Sequence, residues 1–396
     1  MDTSEVNNPK STRAGVYVRQ PTGYRAYIPK PLPPHPALSI PPSSELQKLL
    51  SESDRALGRL DGSIQTLPNP DLFMSMYVRK EALLSSQIEG TQASLSDVIR
   101  VEANLSDAGY RGDADEVINY VTAMNYGLER LKTIPLSLRL IREIHEKLMK
   151  GVRGGKMQPG EFRRSQNWIG PQGCTLADAF FVPPPQEEAV KALGDLEIFL
   201  HENDSVPPLI KIGLAHAQFE TIHPFLDGNG RMGRLLITFF LCNKDILQKP
   251  VLYLSYYFRK RQDEYYNRLQ RVRDFGEWEE WLRFFLTGVT SVAKQATETA
   301  KRIVSLREDH RRLIIERFGN SSGNAMRVLE HMYERPYLTV NTVKEMLGIS
   351  FPNASKLIDK FVNAALLVEI TGRSRNRIFR YSSYMDLFSN LTDDEG

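Results

Sequence analysis

The segment His223-Pro224-Phe225-Leu226-Asp227-Gly228-Asn229-Gly230-Arg231-Met232-Gly233-Arg234 constrains this chain more than any other, because its closely spaced glycines lead directly into Leu235-Leu236-Ile237-Thr238-Phe239-Phe240-Leu241. The apolar run reads as a buried helix, and Gly228, Gly230 and Gly233 let the backbone before and within its first turns come close to a ligand without Cβ interference. Unpaired amides and the helix dipole make such an N-terminus an anion site, and Arg231 and Arg234 add fork-shaped donors suited to phosphate oxygens. Asp227, just before the turn, is a carboxylate that can hold Mg²⁺ against phosphate. His223 has the ordinary pKa of a general base. A plain glycine-rich helix entry would require neither the histidine nor the carboxylate nor both arginines.

These twelve residues resemble the signature of Fic-domain proteins, His-x-Phe-x-(Asp/Glu)-Gly-Asn-Gly-Arg-x-x-Arg, at every specified position. The resemblance implies transfer of AMP from ATP to a Tyr, Ser or Thr hydroxyl of a target protein, with the chain itself among the candidate targets. By the same resemblance, His223 takes the hydroxyl proton and Asp227 carries Mg²⁺. Asn229 and the amides of Gly228 and Gly230 orient the α-phosphate, Arg231 meets the β-phosphate and Arg234 the γ-phosphate, with Met232 and Gly233 in the same ATP-binding run. Positioning and charge neutralisation supply most of the rate in such transfers. Some relatives transfer other phosphate-containing groups, and some reverse the reaction. The two arginines present here favour ATP and AMP.

Upstream, Ser85-Ser86-Gln87-Ile88-Glu89-Gly90 closes a helical pattern of Met74, Tyr77, Val78, Leu84 and Ile88, with Gly90 as the residue that ends the helix. Ser85 and Glu89 stand four apart and share a face. The segment is similar to the Fic inhibitory motif, (Ser/Thr)-x-x-x-Glu-(Gly/Asn), which implies that Glu89 pairs with Arg234 and keeps it from the γ-phosphate. Taken without that resemblance, Glu89 is a solvated helix-end residue.

Between the two motifs, Phe162 to Pro185 holds two β-prone pieces around Gly170-Pro171-Gln172-Gly173, which predicts a hairpin. It resembles the Fic flap, which binds a target segment by main-chain pairing. A purely structural hairpin over the core is the other reading. Tyr265 and Tyr266 lie in an amphipathic helical pattern, and the resemblance implies Tyr266 as the residue lining the adenine pocket. Trp278, Trp281, Phe284 and Phe285 read as core.

At 396 residues with 41% hydrophobic content the chain has room for two or three domains. A net charge of +3 is too small to argue for nucleic acid. Cys174 and Cys242 suggest neither a disulfide framework nor a zinc site. No apolar run approaches the roughly 20 residues that span a bilayer, and the N-terminus has no apolar leader, so a cytoplasmic location without membrane contact is expected.

Residues 1–42, rich in Pro, Tyr and basic side chains, read as an extended arm, and Ser44-Glu45-Leu46-Gln47 as a capping box. Residues 320–388 read as helix, helix, turn, helix and a hairpin with the basic turn Gly372-Arg373-Ser374-Arg375-Asn376-Arg377, which looks like a winged helix-turn-helix. As a DNA reader it would turn Asn353, Ser355, Lys356 and Lys360 to the major groove and Arg373, Arg375 and Arg377 to phosphates. As a docking module it would serve dimerisation or protein contact. The expected architecture is mainly α: an N-terminal arm and helical region with the inhibitory motif (1–110), a Fic helical core with a β-hairpin flap (111–315), and a winged helix-turn-helix domain (316–396). Two functions follow, an autoinhibited protein adenylyltransferase, or a DNA-binding regulator with the core as a nucleotide-sensing module. A homodimer formed through the inhibitory helix is compatible with the first.

Overall fold

The structure is a computed structural model describing residues 13–41, 44–65, 67, 70–103, 111–171, 173–202, 205–373 and 375–389. It is mainly helical, with two small antiparallel sheets. Two helices form its centre, α7 (Pro208–Ile222) and α8 (Asn229–Asn243). Every residue of α7 from Leu209 to Ile222 is buried, and α8 is buried from Arg231 to Leu241. Apolar on nearly all faces, these helices have nowhere to go but the interior. The twelve-residue signature is the connection between them plus the first turns of α8, so the candidate site is built at the middle of the core.

Around this pair lie α1 (Glu45–Gln65), α2 (Pro70–Ile88), α3 (Leu95–Glu102), α4 (Arg111–Leu131), α5 (Leu138–Leu148) and α6 (Gln186–His201), followed beyond α8 by α9 (Ser255–Lys260), α10 (Gln262–Phe275) and α11 (Trp278–Phe318). Ser94 opens α3 with a full capping box, its hydroxyl and the Asp97 carboxylate each satisfying the other's backbone amide. The box expected at Ser44 is half formed, with the Gln47 amide donating to Ser44 Oγ. The 41 residues of α11 make a rod of about 60 Å, along which α1 packs. Its first turns bury Trp278, Trp281, Phe284 and Phe285 in the core.

The N-terminal arm forms a hairpin of its own rather than a single extended strand. Strands β1 (Gly15–Arg19) and β2 (Arg25–Pro29) pair antiparallel with Tyr17 opposite Tyr27, and Gly23 turns between them at φ 97°. The Tyr27 amide donates to Val182 O, and Gln218 Nε2 donates to Lys30 O, docking the arm on the end of the flap and on α7.

Beyond α11 come α12 (Ser322–Glu334), β3 (Tyr337–Thr339), α13 (Val340–Leu347), α14 (Phe351–Asn363), β4 (Val368–Glu369), β5 (Ile378–Arg380) and α15 (Ser382–Ser389), with the strands in the order β3-β5-β4. Sequence patterning missed β3, which is only three residues long. Gly348 in the left-handed conformation ends α13 and permits the tight turn into α14. Among the described residues no helix is long and apolar enough to cross a membrane.

Candidate functional site

His223 ends α7 in the left-handed region at φ 49°, an uncommon state for a residue with a side chain. Its amide closes the helix on Phe219 O, and its carbonyl accepts from Arg163 Nε at 2.9 Å and from Asn167 Nδ2 at 3.3 Å. Nδ1 is buried without a hydrogen-bond partner. Burial first, then the Arg273 and Arg163 charges, lowers its pKa to about 3. The imidazole is therefore neutral at physiological pH.

The loop that follows is held from inside. Asn229 accepts from the Phe225 amide and donates to the Phe225 carbonyl, each at 2.8 Å. The sequence expectation set this side chain against an α-phosphate; its observed partners are the two backbone groups of Phe225. The Phe225 ring stacks on His145, with centroids 3.7 Å apart. His145 Nδ1 accepts from the Gly160 amide, which leaves Nε2–H to donate to Asp227 O at 2.9 Å. Gly228 starts α8 at φ 77°, where a Cβ would lie 2.7 Å from Met149 Sδ. This position requires glycine twice over, for conformation and for space.

Met232 belongs to the run that the resemblance assigns to ATP. Its side chain is fully buried in the core and its amide donates to Gly228 O, closing the first turn of α8. Arg231 is buried as well, with Nη1 3.8 Å from Glu116 and Nη2 3.8 Å from Asp227, and its Nε and Nη1 make no hydrogen bond. Buried guanidinium donors without partners are uncommon and suit an incoming oxyanion.

Arg234 is fully engaged. Nε donates to Ser85 Oγ at 2.8 Å, and Nη2 donates to Ser85 O at 2.9 Å and to Glu89 Oε1 at 2.6 Å. Ser85, Glu89 and Gly90 thus come to the signature from the end of α2, 145 residues away in sequence for Glu89. A Cβ on Gly230 would sit 2.2 Å from Glu89 Oε1, so the carboxylate rests on the first turn of α8, where an anion is favoured. Burial pushes the Glu89 pKa up, and the positive charge of Arg234 and Arg231 outweighs it, leaving the carboxyl below its ordinary value. The turn after Glu89 is fastened too: Arg153 Nη2 donates to Glu89 O, Gln262 Nε2 to Ile88 O, and Thr91 Oγ1 to Glu116 Oε2 at 2.6 Å.

Four residues that sequence reasoning passed over complete the site: His145, Arg163, Glu116 and Glu220. Glu220 is buried with Oε1 unpaired, against Gly233, where a Cβ would lie 2.4 Å from that oxygen. Burial raises its pKa to about 7. Its place three residues before His223 on a helix without a polar face was the one signal available. Arg163 threads under the loop, donating to His223 O and to Pro184 O at the far end of the flap.

In the flap, the expected hairpin reduces to a single bridge between Ile169 and Phe181. Gly170, Pro171 and Gly173 disfavour a longer ladder, and Gln172 lies outside the described residues. Trp168 and Phe180 are exposed, at 41% and 73%. Of the two tyrosines on α10, Tyr265 is buried with its hydroxyl 2.8 Å from His216 Nε2, while Tyr266 is 45% exposed. Among the described residues no group of three or more His, Cys, Asp or Glu side chains could hold a metal ion. Asp227 is the donor present for Mg²⁺: its side chain is 42% exposed, and Oδ1 accepts from the Gly228 amide. One exposed carboxylate beside an anion site fits an ion that completes its shell with phosphate and water.

In the C-terminal segment, Asn353 and Lys356 are exposed on α14, as are Arg373 and Arg375. Lys360 is exposed too, and its ammonium donates to Phe318 O at the end of α11 and to Ser321 Oγ just beyond it. Ser374 lies outside the described residues.

Comparison with known proteins places these features in context. Residues 47–129 match the family model described as Fic/DOC family N-terminal, and residues 135–241 that of the Fic/DOC family. The chain is 27% identical over 202 residues to the protein adenylyltransferase Fic of Drosophila grimshawi, and 26% identical over 246 residues to that of Drosophila yakuba. These alignments cover 50% and 60% of this chain but 38% and 45% of those proteins, so the chain spans less than half the length of these curated relatives. The crystal structure of a Fic family protein from Desulfovibrio desulfuricans G20 superposes with a TM-score of 0.56, covering 87% of this chain and 97% of that one at 23% identity, a likeness of fold.

Proposed function

From the premise that residues 47–129 and 135–241 match the Fic/DOC family N-terminal and Fic/DOC family models, we propose that the chain is a protein adenylyltransferase, moving AMP from ATP to a hydroxyl side chain of a target protein and restrained by Glu89. The observation that carries the reading is the pair between Arg234 and Glu89, seated on the first turn of α8 beside the unpaired donors of Arg231. A carboxylate there occupies the place and the guanidinium that a terminal phosphate needs.

The chemistry runs as an in-line displacement. Neutral His223 accepts the proton of the target hydroxyl, whose oxygen attacks the α-phosphorus. The bond from that phosphorus to the bridging oxygen breaks, and pyrophosphate leaves. First-turn amides of α8 face the phosphates, with Arg231 and, once Glu89 departs, Arg234 neutralising them. Asp227 would hold Mg²⁺, which supplies charge neutralisation to the polyphosphate. Asn229, by locking Phe225, and His145, by holding Asp227 O, keep the loop from having to reorganise as the substrate arrives. Tyr266, exposed on α10 near the end of α2, is the aromatic side chain proposed for adenine. For the flap, strand addition of the target at its short bridge accounts for the exposed Trp168 and Phe180.

The test is incubation of wild type, Glu89→Gly and Glu89→Gly/His223→Ala with Mg²⁺ and ATP, followed by intact-mass analysis. The expected result is an AMP adduct that increases without Glu89 and vanishes without His223. Equal adduct in wild type and Glu89→Gly would remove the restraint from this reading. Adduct that persists without His223 would remove the base.

A further inference from the structure

Helix α2 carries two sets of contacts, one at each end of its second half. Ser85 and Glu89 reach Arg234. Tyr77 and Lys80, one to three turns earlier, reach the far C-terminal end of the chain. The Tyr77 ring stands edge-on to Phe388 of α15, with centroids 5.5 Å apart at 86°, and Lys80 Nζ donates to Phe388 O at 3.1 Å. All three side chains are buried. Lys80 lies 4.8 Å from the Tyr253 ring and 5.6 Å from that of Tyr256, and burial lowers its pKa to about 7. An amine buried among rings needs the Phe388 carbonyl as its hydrogen-bond partner, and loses it if Phe388 is displaced. A second tie joins the same two regions, from Tyr337 OH on β3 to Ser96 Oγ on α3.

We propose that Tyr77, Lys80 and Phe388 are positioning residues through which the C-terminal segment holds the inhibitory helix against Arg234. Nine residues separate Lys80 from Glu89, about 13 Å along the helix axis. Between them α2 is continuous helix to Ile88, and Glu81, which accepts from the Ser255 amide and hydroxyl and from Tyr120 OH, is the pivot about which a shift at Lys80 would turn its last two turns. Loss of the Phe388 contact frees one side of that pivot, and the displacement is felt at Ser85 and Glu89. A partner that engages the C-terminal segment and shifts α15 would thereby change the occupancy of Arg234 without touching the nucleotide site. The regulatory consequence rests on the adenylyltransferase reading; the mechanical link does not.

The experiment uses the full chain with Lys80→Met and Phe388→Ala, and with Phe388→Leu as the variant that retains bulk, each checked for native helicity. Hydrogen exchange of the amides of residues 84–91 is expected to rise at least tenfold in Lys80→Met and Phe388→Ala and less in Phe388→Leu. AMP incorporation is expected to rise about fivefold in the otherwise wild-type chain and to be unchanged in the Glu89→Gly background. Exchange at 84–91 within twofold of wild type in all three folded variants would overturn the link. Raised exchange without raised incorporation, while Glu89→Gly does raise it, would overturn its regulatory consequence. If Glu89→Gly has no effect on incorporation, the restraint by Glu89 fails, if neither protein incorporates AMP the adenylyltransferase reading fails, and in both cases the exchange result still decides the link.

Discussion

The signature loop and the flap lie side by side and are built on opposite principles. From His223 to Arg234 the frame is tied down inside the protein, with Asn229 on Phe225, the His223 carbonyl on Arg163 and Asn167, and Arg234 on Ser85 and Glu89, while His223 Nδ1 and two Arg231 nitrogens make no hydrogen bond. The flap has one bridge, at Ile169 and Phe181, and turns Trp168 and Phe180 outward. Chemistry on a polyphosphate rewards groups that need not reorganise, whereas a surface that receives a target segment must keep its edge unpaired. The two meet at Asn167 and Arg163, flap residues whose donors end on loop carbonyls, so the adaptable element is rooted in the rigid one.

The largest expected effect lies in the loop. His223→Ala in the Glu89→Gly background should lower AMP incorporation by about 10³-fold, within the range of general-base contributions; a residual rate above a tenth of the parent would break the assignment of chemistry to the loop. Next comes Glu220. An acid whose pKa is raised in the folded state favours folding most below its unfolded pKa, and that contribution is lost as pH rises toward the folded value of about 7. Wild-type stability measured by urea unfolding should therefore decline between about pH 4.5 and 7 by up to about 3 kcal/mol relative to Glu220→Gln. Parallel pH profiles would show that Glu220 is not held protonated.

Asn229→Ala sharpens the contrast in stability. Losing two buried backbone partners should cost about 2–3 kcal/mol, against less than about 0.5 kcal/mol for Phe180→Ala in the flap. Similar losses at both sites would mean that the loop is no more rigid than its neighbour. The smallest effect belongs to the flap alone: Trp168→Ala and Phe180→Ala should raise KM for a protein target a few-fold while leaving ATP affinity unchanged. A change in ATP affinity instead would place these residues in the nucleotide site.

Much of the local backbone of the site is legible in the sequence. The glycine positions, the helix that follows them, the base and the carboxylate are local in sequence, and local backbone requirements write themselves into residue type: Gly228 is needed for its φ and for the Met149 contact. The four-residue spacing of Ser85 and Glu89 was equally readable, because it follows from helix geometry. Met232 shares its burial with Asn229, Arg231 and Arg234, and differs from them in carrying an apolar side chain. Lys360 was given to a groove by its basic charge, and its bond to the end of α11 could not be foreseen from a position 42 residues away. The flap was read from β-prone composition, which overstates pairing when glycine and proline interrupt it.

By itself, the sequence determined that a buried helix begins just after Gly228, that a histidine and a carboxylate stand before it, and that the chain is mainly helical. These follow from backbone sterics and from periodicity, which act over a few residues. Tertiary structure alone decided that Glu89 lies on that helix start, that His145 and Arg163 hold the loop from below, that Glu220 is sealed beside Gly233, and that Phe388 meets Lys80 across 308 positions of chain. Such pairings depend on how whole helices pack, and no local pattern carries the identity of a partner that only the burial of a shared core brings within reach.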